Sequence, residues 1–328
     1  MTINKNPPVV SSSRPIRERV GLIVEGVNSA AAVNTIIAAE DVGVRQIWML
    51  QPPNLPDVLT TFAAAAAKTS TINLGTSIVP TYPRHPLVLA QQALALHDIA
   101  PGRLRLGIGP SHRFIIEKMY GLQQGNPLAH LREYVEILRT ALWDGKVNHH
   151  GDFFNVEAEL VRSAQIPLLI STLGKMAFQL AGQIADGALT WVCPVPYLLH
   201  TGIPALRSSA ASVGRSTPQL VAHVPIALSE DRVSILSAGH RYLDFYAKIP
   251  FYAKMFSNAG FQVTSDQMVP NAFVDNLVIS GNEEKVAARI NELLSAGLDE
   301  LMVSPVPVTG TGEDEQQQAR LMHLIGRL

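Results

Sequence analysis

LGTSIVPTYPRHPLVLAQQALALHDIAPGRLRLGIGPSH, residues Leu74–His112, contains one complete structural unit. A β-branched and apolar run, residues 72–79, reads as a strand. A Pro-rich turn follows, and Pro86 opens a helical stretch that runs to Ile99 with the proline in its first turn. A second strand-like run covers Arg103 to Ile108. Apolar runs separated by a helix of this length read as parallel neighbours with the helix outside the sheet.

Working outward, the same alternation recurs along the chain. Strand candidates lie at 21–24, 46–50, 72–79, 103–108, 167–170, 188–191, 220–228 and 300–303, and each but the last is followed by helical sequence. Leu131, Val135, Leu138 and Leu142 fall at helical spacing in the longest helix. Eight such units predict a closed TM-free TIM (β/α)8 barrel, with insertions at its C-terminal face. The competing fold is an open, doubly wound sheet, but the first strand runs into GLIVEGVNSAA and lacks a dinucleotide fingerprint. Two connections are long. Residues 149–163 alternate apolar and polar side chains, which suits a small hairpin or an extended excursion. Residues 229–273 carry Tyr242, Phe245, Tyr246, Phe251, Tyr252, Phe256 and Phe261, and read either as a lid over a planar ligand or as a helical subdomain. Residues 1–18 are polar and Pro/Ser-rich and are expected to be a flexible tail before a single barrel domain, 19–328.

Composition narrows the function classes. The chain has 328 residues, 47% of them hydrophobic and 16% charged, with a formal net charge of -1. That balance offers no electrostatic footprint for nucleic acid or an anionic membrane. The single cysteine, Cys193, excludes an internal disulfide framework and a Cys-rich zinc site. No signal-peptide pattern is present, and the Ala-rich run at 62–67 is too short for a membrane span, so a cytoplasmic protein is expected. No HExxH, GxSxG or paired-carboxylate pattern appears, which argues against hydrolase chemistry and leaves no metal site to name.

In such a barrel the strand ends carry the chemistry. The third ends in Thr76, Ser77 and Ile78, with Arg84 beyond as a partner for an anion. The fourth ends in Gly109 and His112. Glycine permits close approach of a ligand to the backbone, and an imidazole can exchange a proton. The fifth ends in Ser171, then Gly174 and Lys175 at a helix start, where exposed N–H groups and a lysine suit a phosphate. Ordinary capping by Ser or Thr is the alternative there. The sixth ends in Thr190 and Trp191. Glu25, after the first strand, is a candidate acid or base.

These segments resemble the bacterial luciferase-like superfamily, in its deazaflavin-dependent oxidoreductase branch. The resemblance rests on Leu74–His112, on STLGKMAFQLAGQIADGALTW (Ser171–Trp191), on HLREYVEILRTALWDGKVNHHGDFF (His130–Phe154) and on the closing NEEKVAARINELLSAGLDELMVSPV (Asn282–Val306). It implies a cofactor at the C-terminal face, with a non-prolyl cis peptide at Ser77–Ile78 supporting the ring. It maps Gly174, Lys175 and Thr190 to the cofactor phosphate and Gly109 and His112 to the ring or tail side of the pocket. The implied cofactor is coenzyme F420, an 8-hydroxy-5-deazaflavin that moves hydride to or from an organic substrate. The alternatives are an FMN-dependent two-component monooxygenase served by a reductase partner, and a non-enzymatic flavin-binding barrel. A homodimer is expected. Sugar-phosphate-oxidising members of this branch place a histidine at the end of the second strand. Here Gln51 stands there and cannot act as a base near neutral pH.

Overall fold

In a computed structural model of the chain, residues 14–328 are described. Eight parallel strands form the barrel: β1 (Val20–Ile23), β2 (Gln46–Met49), β3 (Asn73–Thr76), β4 (Leu104–Gly109), β5 (Leu168–Ser171), β6 (Gly187–Leu189), β7 (Gln219–Ala227) and β8 (Glu300–Pro305). Each pairs with the next, and β8 pairs with β1, so the ladder closes. The registers that complete it include Gly187 opposite Gln219 between β6 and β7, and Val20 opposite Leu301 between β1 and β8. Closure excludes the open doubly wound sheet. Most strand residues are buried on both faces, which is why the strands are continuous apolar runs.

The helices start where short polar side chains cap them. Asn28, Asp57, Asn126, Asp231 and Asn282 each accept a backbone N–H in the first turn of their helix. Pro86 and Pro127 occupy first-turn positions. The last strand also has a helix after it, Gly312–Arg327, contrary to the expectation that β8 ends the pattern. Its sequence, GEDEQQQARLMHLIGR, is polar on most of its surface and buries only a narrow stripe, Leu321, Leu324 and Ile325, which hides its periodicity. The long connection after the Pro127–Trp143 helix is a hairpin, Lys146–His150 against Asn155–Glu159. Segment 229–273 is helical, with Arg232–Ala247 and Pro250–Asn258. The helix Asn271–Leu277 and a short strand, Ile279–Ser280, bring the chain back beside β7. Of the expected tail, residues 1–13 lie outside the described residues. Ile16–Glu18 makes one 3-10 turn into β1, and Arg14 pairs with Glu300 at 2.7 Å.

Inside the ring, Ile23, Trp48, Leu169, Leu189, Val221 and Met302 fill the barrel. Trp48 is fully buried, and its indole lies against two glycines. A Cβ on Gly21 would stand 2.6 Å from Trp48 Nε1, and one on Gly75 would overlap the six-membered ring. Nearer the N-terminal ends, Arg105 reaches Glu300 at 2.5 Å and Gln46 Oε1 at 2.9 Å, with its guanidinium 5.0 Å from the Trp48 ring centroid. Burial would raise the Glu300 pKa, but Arg105 and Arg14 outweigh it and hold the carboxyl below its ordinary value.

Gly75→Val should overpack this interior and lower unfolding stability by about 1–3 kcal/mol, read as a lower urea midpoint. An unchanged midpoint would mean that Trp48 is free to move aside.

Candidate cofactor site

All the strand ends named from sequence converge on the C-terminal mouth of the barrel. Its floor is apolar: Leu50, Ile78 and Trp191 rest on the interior cluster beneath. The chain leaves β3 through Ser77 and Ile78, joined by a cis peptide bond, and then Val79 and Pro80 pair with Ile108 and Gly109 of β4. Gly109 is confined there. A Cβ would collide with Ser171 Oγ and come within 3.3 Å of Ile78 Cγ1. Ser77, Ile78, Gly109 and Ser171 are thereby gathered in one place by three adjacent strands.

Two buried hydroxyls at the mouth, Ser77 Oγ and Thr190 Oγ1, have no hydrogen-bond partner. Buried polar atoms are normally satisfied, so each is a natural contact for a polar ligand. At the end of β5 the helix Lys175–Ile184 begins at Gly174 with no side-chain cap. Ser171 and Thr172 do not cap it; the Thr172 hydroxyl donates instead to the Leu189 carbonyl at 3.1 Å. The capping alternative therefore fails, and the first-turn N–H groups retain their affinity for an anion. Lys175 is exposed beside them.

One assignment from sequence needs correction. Thr76 is fully buried and faces the sheet: its hydroxyl donates to the Gly107 carbonyl at 2.7 Å and accepts the Gly107 N–H at 2.8 Å. It holds β3 against β4 from beneath the mouth. Arg84 is held through Nη2 by Asp57 at 2.5 Å, while its buried Nη1 has no hydrogen-bond partner. Arg113 is exposed and paired with Glu117 at 2.8 Å. Gln51 accepts the Val58 N–H at 2.7 Å and so anchors the start of the following helix.

The acid–base candidates lie along an aromatic arc. His112 makes an edge contact with Tyr252, which leads through Tyr246 to Tyr242 at centroid distances of 5.7, 5.0 and 6.2 Å. Burial lowers the His112 pKa, so this imidazole is neutral near pH 7. Glu25 stands open to the mouth, yet the surrounding protein raises its carboxyl pKa. Its charge is felt by both Tyr242 and Tyr246. Trp191 donates its indole N–H to the Tyr246 hydroxyl at 2.7 Å and stacks on His223 at 3.8 Å. Sequence reading singled out neither His223 nor Ser304. The available signal was a histidine inside the apolar run LVAHVPIAL, where burial demands a partner. Cys193 is buried, which pushes its thiol up to about 12 and leaves it inert as a nucleophile. Among the described residues, no group of three His, Cys, Asp or Glu side chains is arranged to hold a metal, and no helix is long and apolar enough to cross a membrane.

Residues 11–300 match the luciferase-like monooxygenase family, and the chain belongs to it. It is therefore an enzyme with the fold of the flavin- and deazaflavin-binding oxidoreductases. It is 25% identical over 289 residues to the 5,10-methylenetetrahydromethanopterin reductase of Methanolobus tindarius, covering 82% of this chain and 88% of that one. It is 26% identical over 322 residues to the F420-dependent glucose-6-phosphate dehydrogenase of Nakamurella multipartita, covering 92% and 93%. Among solved structures, the coenzyme F420-dependent tetrahydromethanopterin reductase of Methanopyrus kandleri shares the fold with a TM-score of 0.76 at 22% identity, over 94% of this chain and 97% of that one. The FMN complex of the oxygenating constituent of 3,6-diketocamphane monooxygenase, from Pseudomonas putida, superposes with a TM-score of 0.73 at 16% identity, over the same shares.

Burial sets a pH response. It lowers the folded-state pKa of His223 to about 3 and of His130 to about 4, against roughly 6.5 in the unfolded chain. The unfolded chain thus binds more protons below pH 6.5. Their contribution to stability is complete above about pH 7 and falls as pH drops through 6.5, by about 2 kcal/mol per histidine at pH 5. His130→Phe should flatten the pH 5–7.5 stability profile by about that amount; a profile of unchanged slope would contradict the assignment.

Proposed function

We propose that the chain is a coenzyme F420-dependent oxidoreductase that passes a hydride between this deazaflavin and a small organic substrate. The observation that carries the reading is the cradle at the mouth. Gly109 lets Ser171 and Ile78 close in at one place, the Ser77 and Thr190 hydroxyls lack partners, and the helix at Gly174 is uncapped. These residues fit a tricyclic ring joined to a phosphate. Ile78 and Trp191 would support the ring, and Gly174, Lys175, Ser171 and Thr190 would hold the phosphate. When bound, the deazaflavin supplies two-electron hydride chemistry. The protein supplies an apolar floor, oriented donors and a neutral imidazole at His112, with Glu25 as the acid–base candidate. The reductase relatives support F420 over FMN.

The second reading is an FMN-dependent monooxygenase with a flavin reductase partner. It is supported by the FMN-bound structural neighbour, and the cradle would accept either phosphate. In both readings we place the enzyme in the cytoplasm as a homodimer, with segment 229–273 closing over the ligand.

Titration of the protein with oxidised F420 and with FMN distinguishes the two. F420 should bind at least tenfold more tightly, and the reverse preference would make the monooxygenase reading the better one. Gly109→Val should weaken F420 binding more than tenfold by forcing Ser171 and Ile78 out of place. Lys175→Ala should weaken it about threefold, because an exposed charge at a helix start contributes only about 0.3–1 kcal/mol. Unchanged affinity in both variants would place the cofactor elsewhere.

A further inference from the structure

His223, fully buried in β7, is the centre of a hydrogen-bonded cluster at the mouth. Its Nδ1 accepts the Val192 N–H at 3.3 Å. Val192 is held at φ 45°, a left-handed conformation that β-branched residues avoid, and that turn aims its N–H at the ring. A ring nitrogen that accepts carries no proton, so the neutral imidazole bears its proton on Nε2. Nε2 lies 2.8 Å from Ser304 Oγ and 3.3 Å from the Tyr242 hydroxyl.

The protons of this cluster can be counted. There are three: on His223 Nε2, on Ser304 and on Tyr242. Nε2–H donates to Ser304 Oγ, the nearer of the two oxygens. The Tyr242 hydroxyl cannot donate to the same nitrogen, because Nε2 is already protonated, so its proton has no acceptor on His223. Tyr242 is only half-buried, and Glu25 lies near enough for its charge to be felt. The Tyr242 proton is therefore left for an acceptor beyond His223.

We propose that Tyr242 presents its hydroxyl proton to an acceptor atom of the bound substrate, and that His223 and Ser304 are positioning residues that fix its direction. The substrate class this selects is a neutral carbonyl or imine, whose oxygen or nitrogen accepts that proton. The Glu25 carboxyl beside it weighs against an anionic group at the same place. The choice of class rests on the hydride-transfer reading, since such groups are hydride acceptors; the proton count does not.

Two measurements test it. In ligand-free protein with 15N-labelled histidine, His223 should give the neutral Nε2–H tautomer from pH 5 to 8. Tyr242→Phe should keep that tautomer and melt within about 3 °C of the parent. The Nδ1–H tautomer, or a larger loss of melting temperature, would show the phenol proton serving the fold and overturn the proposal. In the second measurement, acetone, cyclohexanone and 2-cyclohexenone are titrated into protein loaded with oxidised F420, followed by cofactor absorbance. At least one should bind, about tenfold more weakly in Tyr242→Phe, with F420 affinity within twofold of the parent. No carbonyl binding, or equal binding in the variant, would overturn the proposal. Failure of F420 itself to bind would sink the cofactor reading instead and leave the histidine spectra to decide this one.

Discussion

Trp48 stands in the interior of the barrel between Gly21 and Gly75, and the closed ring of strands is arranged around that contact. A large side chain on β2 fits only because its neighbours on β1 and β3 have none. Beneath it, Arg105 spans from Gln46 to Glu300 and plugs the N-terminal end. Removing one member of a buried ion pair costs about 3–5 kcal/mol, because the other is left charged and dry. Above it, Ile78, Leu50 and Trp191 complete an apolar floor. The barrel is thus sealed at the lower end and smooth at the upper end, and its polar chemistry is confined to the loops above.

The same economy of side chains shapes the mouth. Gly107 lets β3 come close enough for Thr76 to exchange two hydrogen bonds with it, and Gly109 does the same for Ser171 and Ile78. What remains facing upward is a set of neutral groups: two orphaned hydroxyls, an uncapped helix start, the low-pKa imidazole of His112 and an arc of tyrosines. The arginine nearest the β3 exit is already matched by Asp57. Lys175, after β5, and Glu25, after β1, are exposed.

How much of this was legible in the sequence follows from the range of the interactions. Strand and helix alternation is local, so all eight barrel strands, the Pro86 helix start and the hairpin near 149–163 could be read from patterning. The Gly312–Arg327 helix could not, because its apolar stripe is three residues wide within a polar surface. The strand ends were legible because the barrel dictates where they face. Their individual duties were not. The pairing of Arg84 with Asp57, which the fold brings from 27 positions earlier, could not be read. His223 meets Ser304 across 81 positions, and Arg105 meets Glu300 across 195. Side-chain pairings of that reach leave no periodicity, so only the closed barrel reveals them.

The position of the ring is the central claim, and a crystal structure of the complex with oxidised F420 reads it directly. The ring should lie on Ile78 and Trp191 with its edge against Gly109, and the phosphate should meet the backbone N–H groups that follow Gly174. A ring bound away from the Ser77–Ile78 segment, or a phosphate remote from the Lys175–Ile184 helix start, would contradict the assignment.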